Sequence, residues 1–331
     1  MIANNIHSKY LQSVNNLSQR NLGLTGKNPS VACMIVDYSK SSEGQVLSYG
    51  LTSIGGSPHS EVNALNKIKK NKITNKTVMY VSLEPCMKES DCCAKRILKS
   101  GIGKVFISSL DPNPIIYKKG LNFLKKNNVK INLAPNYLNN FKNINKIFYH
   151  YQRNTRPYVT LKLAISNNGF SKDYKEPNIT SPETQYYMHK YRLTHDAIAV
   201  GYNTYIEDNP RLNSRLNGID KNNFKFVISK INKKLKKNFN TIKLNYKDEP
   251  KIFLQQLKNY PINSILIEGG LSTFNYFYNN NLFDEIVICQ SAKVIKSSKK
   301  RYKLNLSLLK KNLKLYSSIT YGEDIIETYK Y

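Results

Sequence analysis

Short apolar runs alternate with amphipathic segments along the first half of the chain. Continuous apolar or β-branched residues predict buried strands over 32–37, 78–83 and 104–109. Apolar residues at helical spacing predict helices over 5–20 and 61–70, and a further helix begins after Cys93 and ends at Gly101. Strands that alternate with helices in this way are typical of βαβ units, so we expect a mostly parallel sheet.

The second half repeats this alternation after a basic and aromatic stretch that ends at Pro157. Apolar runs predict further strands over 158–166, 195–201, 224–229, 264–270 and 284–292. The Lys/Asn-rich segment 232–246 shows no periodicity and is interpreted as a loop. A length of 331 residues corresponds to about two ordinary domains. We place the boundary near 149–156, which predicts domains over 1–150 and 151–331.

The composition favours a folded chain from a reducing compartment. Hydrophobic residues make up 40% of the sequence, which is enough for packed cores and argues against wholesale disorder. No apolar run approaches the ~20 residues that span a bilayer, and the N-terminus does not have the pattern of a signal peptide. The cysteines are few, odd in number and bunched, unlike a disulfide framework. We therefore expect a cytoplasmic protein, no membrane association, and thiols available to bind a metal.

The net charge of +29 has two interpretations. Clustered basic residues neutralise phosphates, so the charge by itself favours nucleic-acid binding. However, only eight of the 51 basic residues are arginines, and the lysines are spread along most of the chain. An excess of Lys, Asn, Ile and Tyr is typical of an A+T-rich coding sequence. We favour compositional drift and expect no nucleic-acid partner, with a dedicated nucleic-acid surface as the alternative.

The strongest chemical signal is His59-Ser60-Glu61 followed by Pro85-Cys86 and Cys92-Cys93. Zinc takes imidazole and thiolate ligands tetrahedrally, and a catalytic zinc keeps one position open for water. One histidine and two cysteines supply three ligands and leave that fourth position. A carboxylate beside the histidine that does not bind the metal can transfer protons, as in zinc deaminases. The pattern predicts a catalytic zinc site with Glu61 as the proton shuttle.

Two alternatives apply to this pattern. A structural zinc site would recruit four ligands, but the remaining candidates, Cys33 and Cys289, are remote in sequence. The third ligand is either Cys92 or Cys93, and the spacing by itself does not choose between them. Both lie where a helix is expected to begin, and the backbone N–H groups there stabilise a thiolate.

In the second half, Gly269-Gly270 ends a strand and precedes a helical stretch. Glycines at such a junction allow a phosphate to approach a helix N-terminus, although they also form ordinary turns. Arginines are scarce in this chain, so those that remain are candidates for a geometric task such as bidentate phosphate binding, with surface ion pairing as the alternative. The arginines of this region are Arg192, Arg211 and Arg215.

The segments PHSEVNAL, VSLEPC and CAKRILKSGIGKVFISSLDPNP resemble the deaminase half of the RibD family, the bifunctional deaminase/reductases of riboflavin biosynthesis. The resemblance covers roughly residues 10–135 and implies a cytidine-deaminase-like three-layer α/β/α domain. It also implies that His59, Cys86 and Cys93 bind zinc and that Glu61 is the general acid/base. The loop between the two ligand cysteines, MKESDC, is shorter than in the family.

The segments LKLAISNNG, YRLTHDAIAVGYNTYIEDNPRL and ILIEGG resemble the RibD reductase domain, which has a dihydrofolate-reductase-like α/β fold and uses NADPH. This second resemblance covers residues 157–292. The cofactor-binding residues that it implies are Ala164, Thr204, Asp208, Gly269, Gly270, Leu271 and Ser272. The substrate-binding residues that it implies are Lys162, Arg192, Leu212, Arg215 and Glu268.

Three positions of the second domain depart from the family pattern. Asn168 replaces the Asp of an Asp-Gly pair, Asn178 replaces a Trp, and Glu176 stands where a small polar residue is usual. These departures leave an inactive, reductase-like module as an alternative to an active reductase.

Taken together, the resemblance implies a zinc hydrolase and NADPH-dependent oxidoreductase that acts on small phosphorylated pyrimidines and assembles as a homo-oligomer. Its deaminase would hydrolyse 2,5-diamino-6-ribosylamino-4(3H)-pyrimidinone 5′-phosphate. Its reductase would convert 5-amino-6-(5-phosphoribosylamino)uracil to the ribityl product. The remaining alternative is a tRNA or nucleoside deaminase, which the positive charge favours.

Overall fold

A computed structural model describes residues 2–88, 91–176, 178–216, 218–219, 221–232, 234–245, 247, 249–296 and 299–331. The chain separates into two compact units, Met1–Thr155 and Arg156–Tyr331. Within the described residues, none of the helices combines the length and apolar character that crossing a bilayer requires.

The first unit is built on a five-stranded sheet. Its strands are β1 (Ala32–Asp37), β2 (Gln45–Leu51), β3 (Thr77–Val81), β4 (Lys104–Ile107) and β5 (Lys130–Leu133). They lie in the order β2-β1-β3-β4-β5. β1 pairs antiparallel with β2 and β3, whereas β3, β4 and β5 are parallel. All residues of β1 and β3 are buried, which agrees with the apolar runs 32–36 and 78–81 that they contain.

Helices cover both faces of this sheet, so the first unit has three layers. The helices are α1 (Ile2–Leu17), α2 (Ser60–Leu65), α3 (Cys93–Ser100), α4 (Lys119–Lys126), α5 (Leu138–Ile144) and α6 (Lys146–Asn154). Leu11 and Val14 of α1 pack against Tyr80 and Phe106 on one face. The other face packs against buried side chains of α2 to α6. α3 ends at Gly101, whose left-handed φ of 87° is the conformation expected of a C-terminal glycine.

The second unit is built on an eight-stranded sheet. Its strands are β6 (Tyr158–Ile165), β7 (Ala197–Gly201), β8 (Phe224–Ser229), β9 (Asn240–Lys243), β10 (Ser264–Glu268), β11 (Glu285–Gln290), β12 (Lys314–Tyr321) and β13 (Asp324–Lys330). They lie in the order β12-β13-β11-β6-β10-β7-β8-β9. The strands from β11 to β9 in this order are parallel, and the β12–β13 hairpin adds antiparallel to β11.

Five helices cover the two faces of the second sheet in the part of the chain that the structure describes. They are α7 (Pro182–Thr194), α8 (Tyr202–Asp208), α9 (Pro250–Leu257), α10 (Leu271–Asn279) and α11 (Leu306–Asn312). Phe253 of α9, Phe277 of α10 and Leu309 of α11 belong to the main core. Met188 of α7 and Tyr205 of α8 belong to the clusters on the opposite face. The connections from β6 and β10 therefore leave on opposite faces, which creates a crevice at the carboxyl ends of these strands.

The predicted strands are present at their expected places, but the structure adds elements that the pattern did not show. β2 and β12 have mostly exposed or half-buried residues, and so they lack a continuous apolar run. β9 lies within 232–246 and pairs parallel with β8, so this segment is not wholly a loop. Lys233 and Tyr246 of that segment lie outside the described residues. The antiparallel pairs of β1 also make the first sheet less parallel than expected.

Candidate functional site

His59 and Glu61 lie at the N-terminus of α2. His59 is the N-cap residue in an extended conformation, and Glu61 follows in the first turn. α2 lies directly against β2 at Gly50. A Cβ atom on this residue would come within 2.1 Å of the carbonyl oxygen of Ser60. Only glycine permits this approach of strand and helix, and the approach holds the histidine and the carboxylate at the sheet.

Cys86 and Cys93 approach the same histidine from the next strand–helix connection. Cys86 follows β3, and Cys93 is the first residue of α3. The Nδ1 atom of His59 lies 3.5 Å from Sγ of Cys86 and 3.3 Å from Sγ of Cys93. The three ligand atoms lie within 4.8 Å of one another. The structure thus brings His59, Cys86 and Cys93 together.

This triangle of atoms fits a tetrahedral zinc. Zn–S bonds of about 2.3 Å and Zn–N bonds of about 2.0–2.1 Å place ligand atoms roughly 3.6 Å apart in a tetrahedron. The observed separations of 3.3 and 3.5 Å are close to that edge length. The donor set of one imidazole and two thiols is also one that zinc prefers over Mg²⁺ or Ca²⁺.

A hydrogen bond couples the thiols of Cys86 and Cys93. The hydrogen bond from the Cys93 thiol lowers the pKa of Cys86 well below its ordinary value, and His59 adds to this effect. The same hydrogen bond, with burial adding to it, raises the pKa of Cys93. A divalent cation between the sulfur atoms stabilises both thiolates and takes the place of the proton in this hydrogen bond.

Glu61 is buried beside the cluster without belonging to it. Only 4% of the residue is exposed, and its Oε2 accepts a hydrogen bond of 2.9 Å from the Ser60 hydroxyl. Burial, with the nearby Cys86 charge adding to it, raises the pKa of this carboxyl. A carboxyl group with a raised pKa exchanges protons more readily near neutral pH than an exposed glutamate does.

Cys92 points away from the histidine. It is the N-cap residue of α3, it is buried, and its Sγ contacts the sulfur of Met87 at 3.2 Å. Of the two alternatives for the third ligand, the geometry favours Cys93. Glu89 and Ser90 of the intervening loop lie outside the described residues.

Glu84 is a residue that the sequence reasoning did not single out. Its buried carboxylate accepts hydrogen bonds from the backbone nitrogens of Asp111 at 3.3 Å, Lys118 at 3.0 Å and Leu121 at 3.3 Å. It therefore shapes the Asp111–Pro114 turn beside Cys86. Burial, with the Glu84 charge adding to it, raises the pKa of Asp111 to about 6. The signal available in the sequence was a charged residue at the end of a buried strand, directly before Pro85-Cys86.

A second group of predicted residues lies at the carboxyl ends of β6, β7 and β10. Lys162 and Ala164 are on β6, and Glu268 ends β10. Gly270 is the N-cap residue of α10, and its backbone nitrogen donates a hydrogen bond of 3.3 Å to Oγ1 of Thr204 on α8. This contact joins the first turns of two helices at the carboxyl ends of the strands, where open α/β sheets bind their ligands.

Arg192 and Glu268 form a bidentate ion pair at the carboxyl end of β10. The Nε atom of Arg192 lies 2.9 Å from Oε1 of Glu268, and a terminal nitrogen lies 2.6 Å from Oε2. Burial opposes ionisation of Glu268, but the charge and hydrogen bonds of Arg192, together with Lys162, lower its pKa. Both side chains thus carry their charges at a site that contains Lys162 as well.

The remaining predicted residues lie on α8, in the loop that follows α8, and in the first turn of α10. Arg215 is exposed and Leu212 is buried in the loop that follows α8, and Leu212 has a left-handed φ of 45°. Asp208 ends α8 with an exposed side chain. Leu271 is buried and Ser272 is exposed in the first turn of α10.

Two family models match the chain in the order that these sites suggest. The cytidine and deoxycytidylate deaminase zinc-binding region matches residues 4–109. The RibD C-terminal domain matches residues 157–326, which is more than half of the chain. The chain belongs to the RibD family.

Curated relatives agree with this family. The riboflavin biosynthesis protein RibD of Aquifex aeolicus is 26% identical over 98% of this chain and 98% of its own length. The RibD protein of Bacillus amyloliquefaciens is 33% identical over 62% of this chain and 55% of its own length. These matches confirm the predicted deaminase/reductase of riboflavin biosynthesis, with its zinc-binding and NADPH-binding domains.

Solved structures confirm the predicted two-domain α/β fold. Acinetobacter baumannii RibD, form 2, has a TM-score of 0.82 and is 23% identical over 98% of this chain and 99% of that chain. A Thermotoga maritima diaminohydroxyphosphoribosylaminopyrimidine deaminase/5-amino-6-(5-phosphoribosylamino)uracil reductase has a TM-score of 0.83 at 21% identity, over 98% of this chain and 99% of that chain.

The departures from the RibD pattern lie in the segment between β6 and α7. The carboxylate of Glu176 forms an ion pair of 2.8 Å with Lys293, so this negative charge has a cationic neighbour. Asn168 accepts from Ser166 and donates to the carbonyl oxygen of Ile295 at 2.8 Å, which closes the turn after β6. Asn178 is exposed.

Lys172 ties the segment after β6 to α8. Its ammonium lies 2.6 Å from Oε2 of Glu207 and above the rings of Tyr174 and Tyr302. We call this contact the Lys172 strap. It places residues 170–174 beside the helix that carries Thr204.

Proposed function

We propose that the first unit of this RibD-family chain hydrolyses the C2 amino group of 2,5-diamino-6-ribosylamino-4(3H)-pyrimidinone 5′-phosphate. The second unit reduces the ribosyl group of the deaminated product with NADPH. The observation that carries the proposal is the joint presence of two features. One is the His59, Cys86 and Cys93 cluster beside buried Glu61. The other is the match of the second unit to the RibD C-terminal domain.

In the deaminase, His59, Cys86 and Cys93 hold zinc, which supplies an activated water when bound. Glu61 takes the proton of the attacking water and transfers it to the departing amine, so that ammonia leaves and the carboxylate is regenerated. The burial that raises the pKa of Glu61 supports this role, because the carboxyl must both accept and donate a proton.

In the reductase, NADPH supplies the hydride when bound. The cofactor is bound at the carboxyl ends of the strands by Ala164, Thr204, Asp208 and residues 269–272. The sugar phosphate is bound by Arg192, Leu212, Arg215 and Glu268. Lys162 places a positive charge next to the reacting sugar. Support for the phosphate end comes from Arg215, which is an exposed arginine in the loop that follows α8.

The substrates are small phosphorylated pyrimidines, and nucleic acid is not part of the proposal. The positive charge raises the encounter rate with anionic substrates and with NADPH. The cytoplasmic location remains a prediction. A homo-oligomer also remains a prediction, and β12 supports it, because this eight-residue edge strand exposes Leu315 and Ile319 to 47% and 42%.

A coupled assay tests both halves of the proposal. The purified chain is given the diaminopyrimidine phosphate with NADPH, while ammonia release and absorbance at about 340 nm are followed together. We expect one NADPH consumed for each ammonia released. Ammonia without NADPH consumption would identify the second unit as an inactive module. Competition by tRNA in the deaminase assay would instead favour a polynucleotide deaminase.

A further inference from the structure

His189 is a buried histidine close to the second site that the proposed function does not use. It lies on α7, three residues before Arg192, so both side chains project from the same face of the helix. Only 8% of His189 is exposed, and α7 begins with a Ser181 cap that accepts from the backbone nitrogen of Thr184. The histidine is therefore held on a well-anchored helix.

The imidazole of His189 meets Arg215 at two points. The Nε–H of Arg215 faces Nε2 of the ring at 3.2 Å, and the backbone N–H of the same residue faces Nδ1 at 3.3 Å. Both Arg215 groups are donors, so a neutral ring accepts a hydrogen bond from only one of them. The carbonyl oxygen of His189 also accepts a hydrogen bond of 3.0 Å from the hydroxyl of Ser214. The loop that contains Ser214 and Arg215 therefore contacts α7 at His189.

The charges around His189 favour a neutral ring. Arg192 and Arg215 face it with positive charge, whereas the backbone of Asn213 and the more distant Glu268 act in the opposite direction. Burial, followed by the two guanidiniums, lowers the pKa of His189. A neutral imidazole has one nitrogen that accepts a hydrogen bond, and a protonated imidazole has none.

We propose that His189 is a positioning residue that orients Arg215 towards the phosphate of the reductase substrate. The proposal places the ring proton on Nδ1, so that Nε2 accepts from Nε of Arg215 and the two terminal nitrogens of the guanidinium remain as donors for a phosphate. This inference rests on the proposed function, because it takes Arg215 as a ligand of the substrate phosphate.

The proposal separates substrate binding from the chemical step. Loss of the acceptor allows the exposed Arg215 side chain to sample other rotamers, which weakens phosphate binding and raises the KM for the pyrimidine phosphate. The KM for NADPH and the kcat of the reductase depend on other residues and change little. As pH falls through the pKa of His189, protonation removes the acceptor, so the KM rises on the acid side.

Four variants of the full chain test this inference in steady-state reductase assays between about pH 5 and 8. Arg215→Met tests the phosphate ligand, and we expect a KM increase of about tenfold or more. For His189→Leu, we expect an increase of about threefold to tenfold in the same KM. His189→Gln retains an acceptor without a titratable ring, so it restores the KM and removes the additional rise on the acid side. Titration of the substrate phosphate affects all variants equally.

Lys190→Leu is the matched control, because Lys190 is exposed on the same helix and lies above Tyr186. We expect its KM for the pyrimidine phosphate to equal that of the wild-type protein. The deaminase rate of each preparation reports on its folding and metal content.

The outcomes distinguish this inference from the proposed function. A normal KM in Arg215→Met would overturn the proposed phosphate ligand. A raised KM in Arg215→Met, with a normal KM in His189→Leu, would overturn the positioning role alone. A His189→Gln variant that is as impaired as His189→Leu, or that has an unchanged pH profile, would also contradict that role.

Discussion

The guanidinium of Arg192 and the carboxylate of Glu268 form a bidentate ion pair, with N–O distances of 2.9 and 2.6 Å. The pair joins α7 to the carboxyl end of β10, and its side chains are only 18% and 9% exposed. A second arginine, Arg156, also makes a bidentate contact, through its two terminal nitrogens, with Asp284 at 2.8 and 2.7 Å. Most basic residues of this chain are lysines, and these two arginines form contacts that need a planar guanidinium.

We predict that Arg192→Lys impairs the reductase and leaves deamination unchanged. A lysine ammonium cannot form two parallel hydrogen bonds, so the free energy of unfolding of the second unit falls by about 1–3 kcal/mol and the KM of the phosphorylated substrate rises. Chemical denaturation and separate assays of the two activities measure these effects. Arg153→Lys, at an exposed arginine above Tyr149, is the control and should have little effect.

The same pair has a pH dependence with a defined sign. The folded pKa of Glu268 lies below its ordinary value of 4.5. Its stabilisation is therefore present above about pH 4.5 and is lost as pH falls through the folded pKa. Arg192→Lys should shift acid unfolding to higher pH, and an unchanged acid transition would contradict the role assigned to this pair.

We predict that Glu61→Gln retains zinc but loses deamination by a factor of about 10²–10⁴, because the amide cannot carry the proton. Metal analysis should find about one zinc per chain in both proteins, and ammonia release measures the rate. Glu43→Gln, at an exposed glutamate of the same unit, is the control. A Glu61→Gln variant with full activity would exclude Glu61 as the proton shuttle.

We predict that Cys93→Ala removes the zinc, whereas Cys92→Ala retains it. The Sγ of Cys93 lies 3.3 Å from Nδ1 of His59, whereas the Sγ of Cys92 contacts Met87. Metal content and deaminase activity of the two variants measure this difference. Since Cys92 is buried, its replacement costs some stability, which thermal unfolding of the zinc-bound protein will show. The reverse pattern of zinc content would assign the ligand to Cys92.

We predict that loss of the Lys172 strap weakens NADPH binding. Lys172→Met breaks the contact with Glu207 and should raise the KM for NADPH about twofold to fivefold, since a partly exposed ion pair is weak. The KM for the pyrimidine phosphate is the internal comparison, and Lys251→Met is the control because Lys251 is an exposed lysine on α9. Equal changes in both KM values would argue against a role specific to the cofactor.

We predict that β12 mediates self-association. The double substitution Leu315→Lys and Ile319→Lys adds charge to the edge strand, which should shift the protein from oligomer to monomer in light scattering or sedimentation. Ile252→Lys, the control, introduces the same charge at an exposed isoleucine on α9. An unchanged molecular mass in the double variant would place the interface elsewhere.

Much of the fold could be predicted from the sequence, because buried strands such as β1, β3 and β7 contain continuous apolar runs. β2 and β12 escaped prediction because they lie at sheet edges, where one or both faces meet solvent and the apolar run disappears. The antiparallel addition of the β12–β13 hairpin depends on pairing with β11, which no local pattern encodes.

The sequence by itself determined the family, the two α/β domains and the candidate zinc ligands, since a histidine and cysteines at strand–helix junctions are a local signature. The tertiary structure decided the choices that depend on direction in space. It turned Cys93 towards His59 and Cys92 towards Met87, paired Arg192 with Glu268, and placed His189 against Arg215. The physical reason is that periodicity assigns a residue to a face of a helix or strand, whereas only packing between distant segments brings two particular atoms within hydrogen-bonding distance.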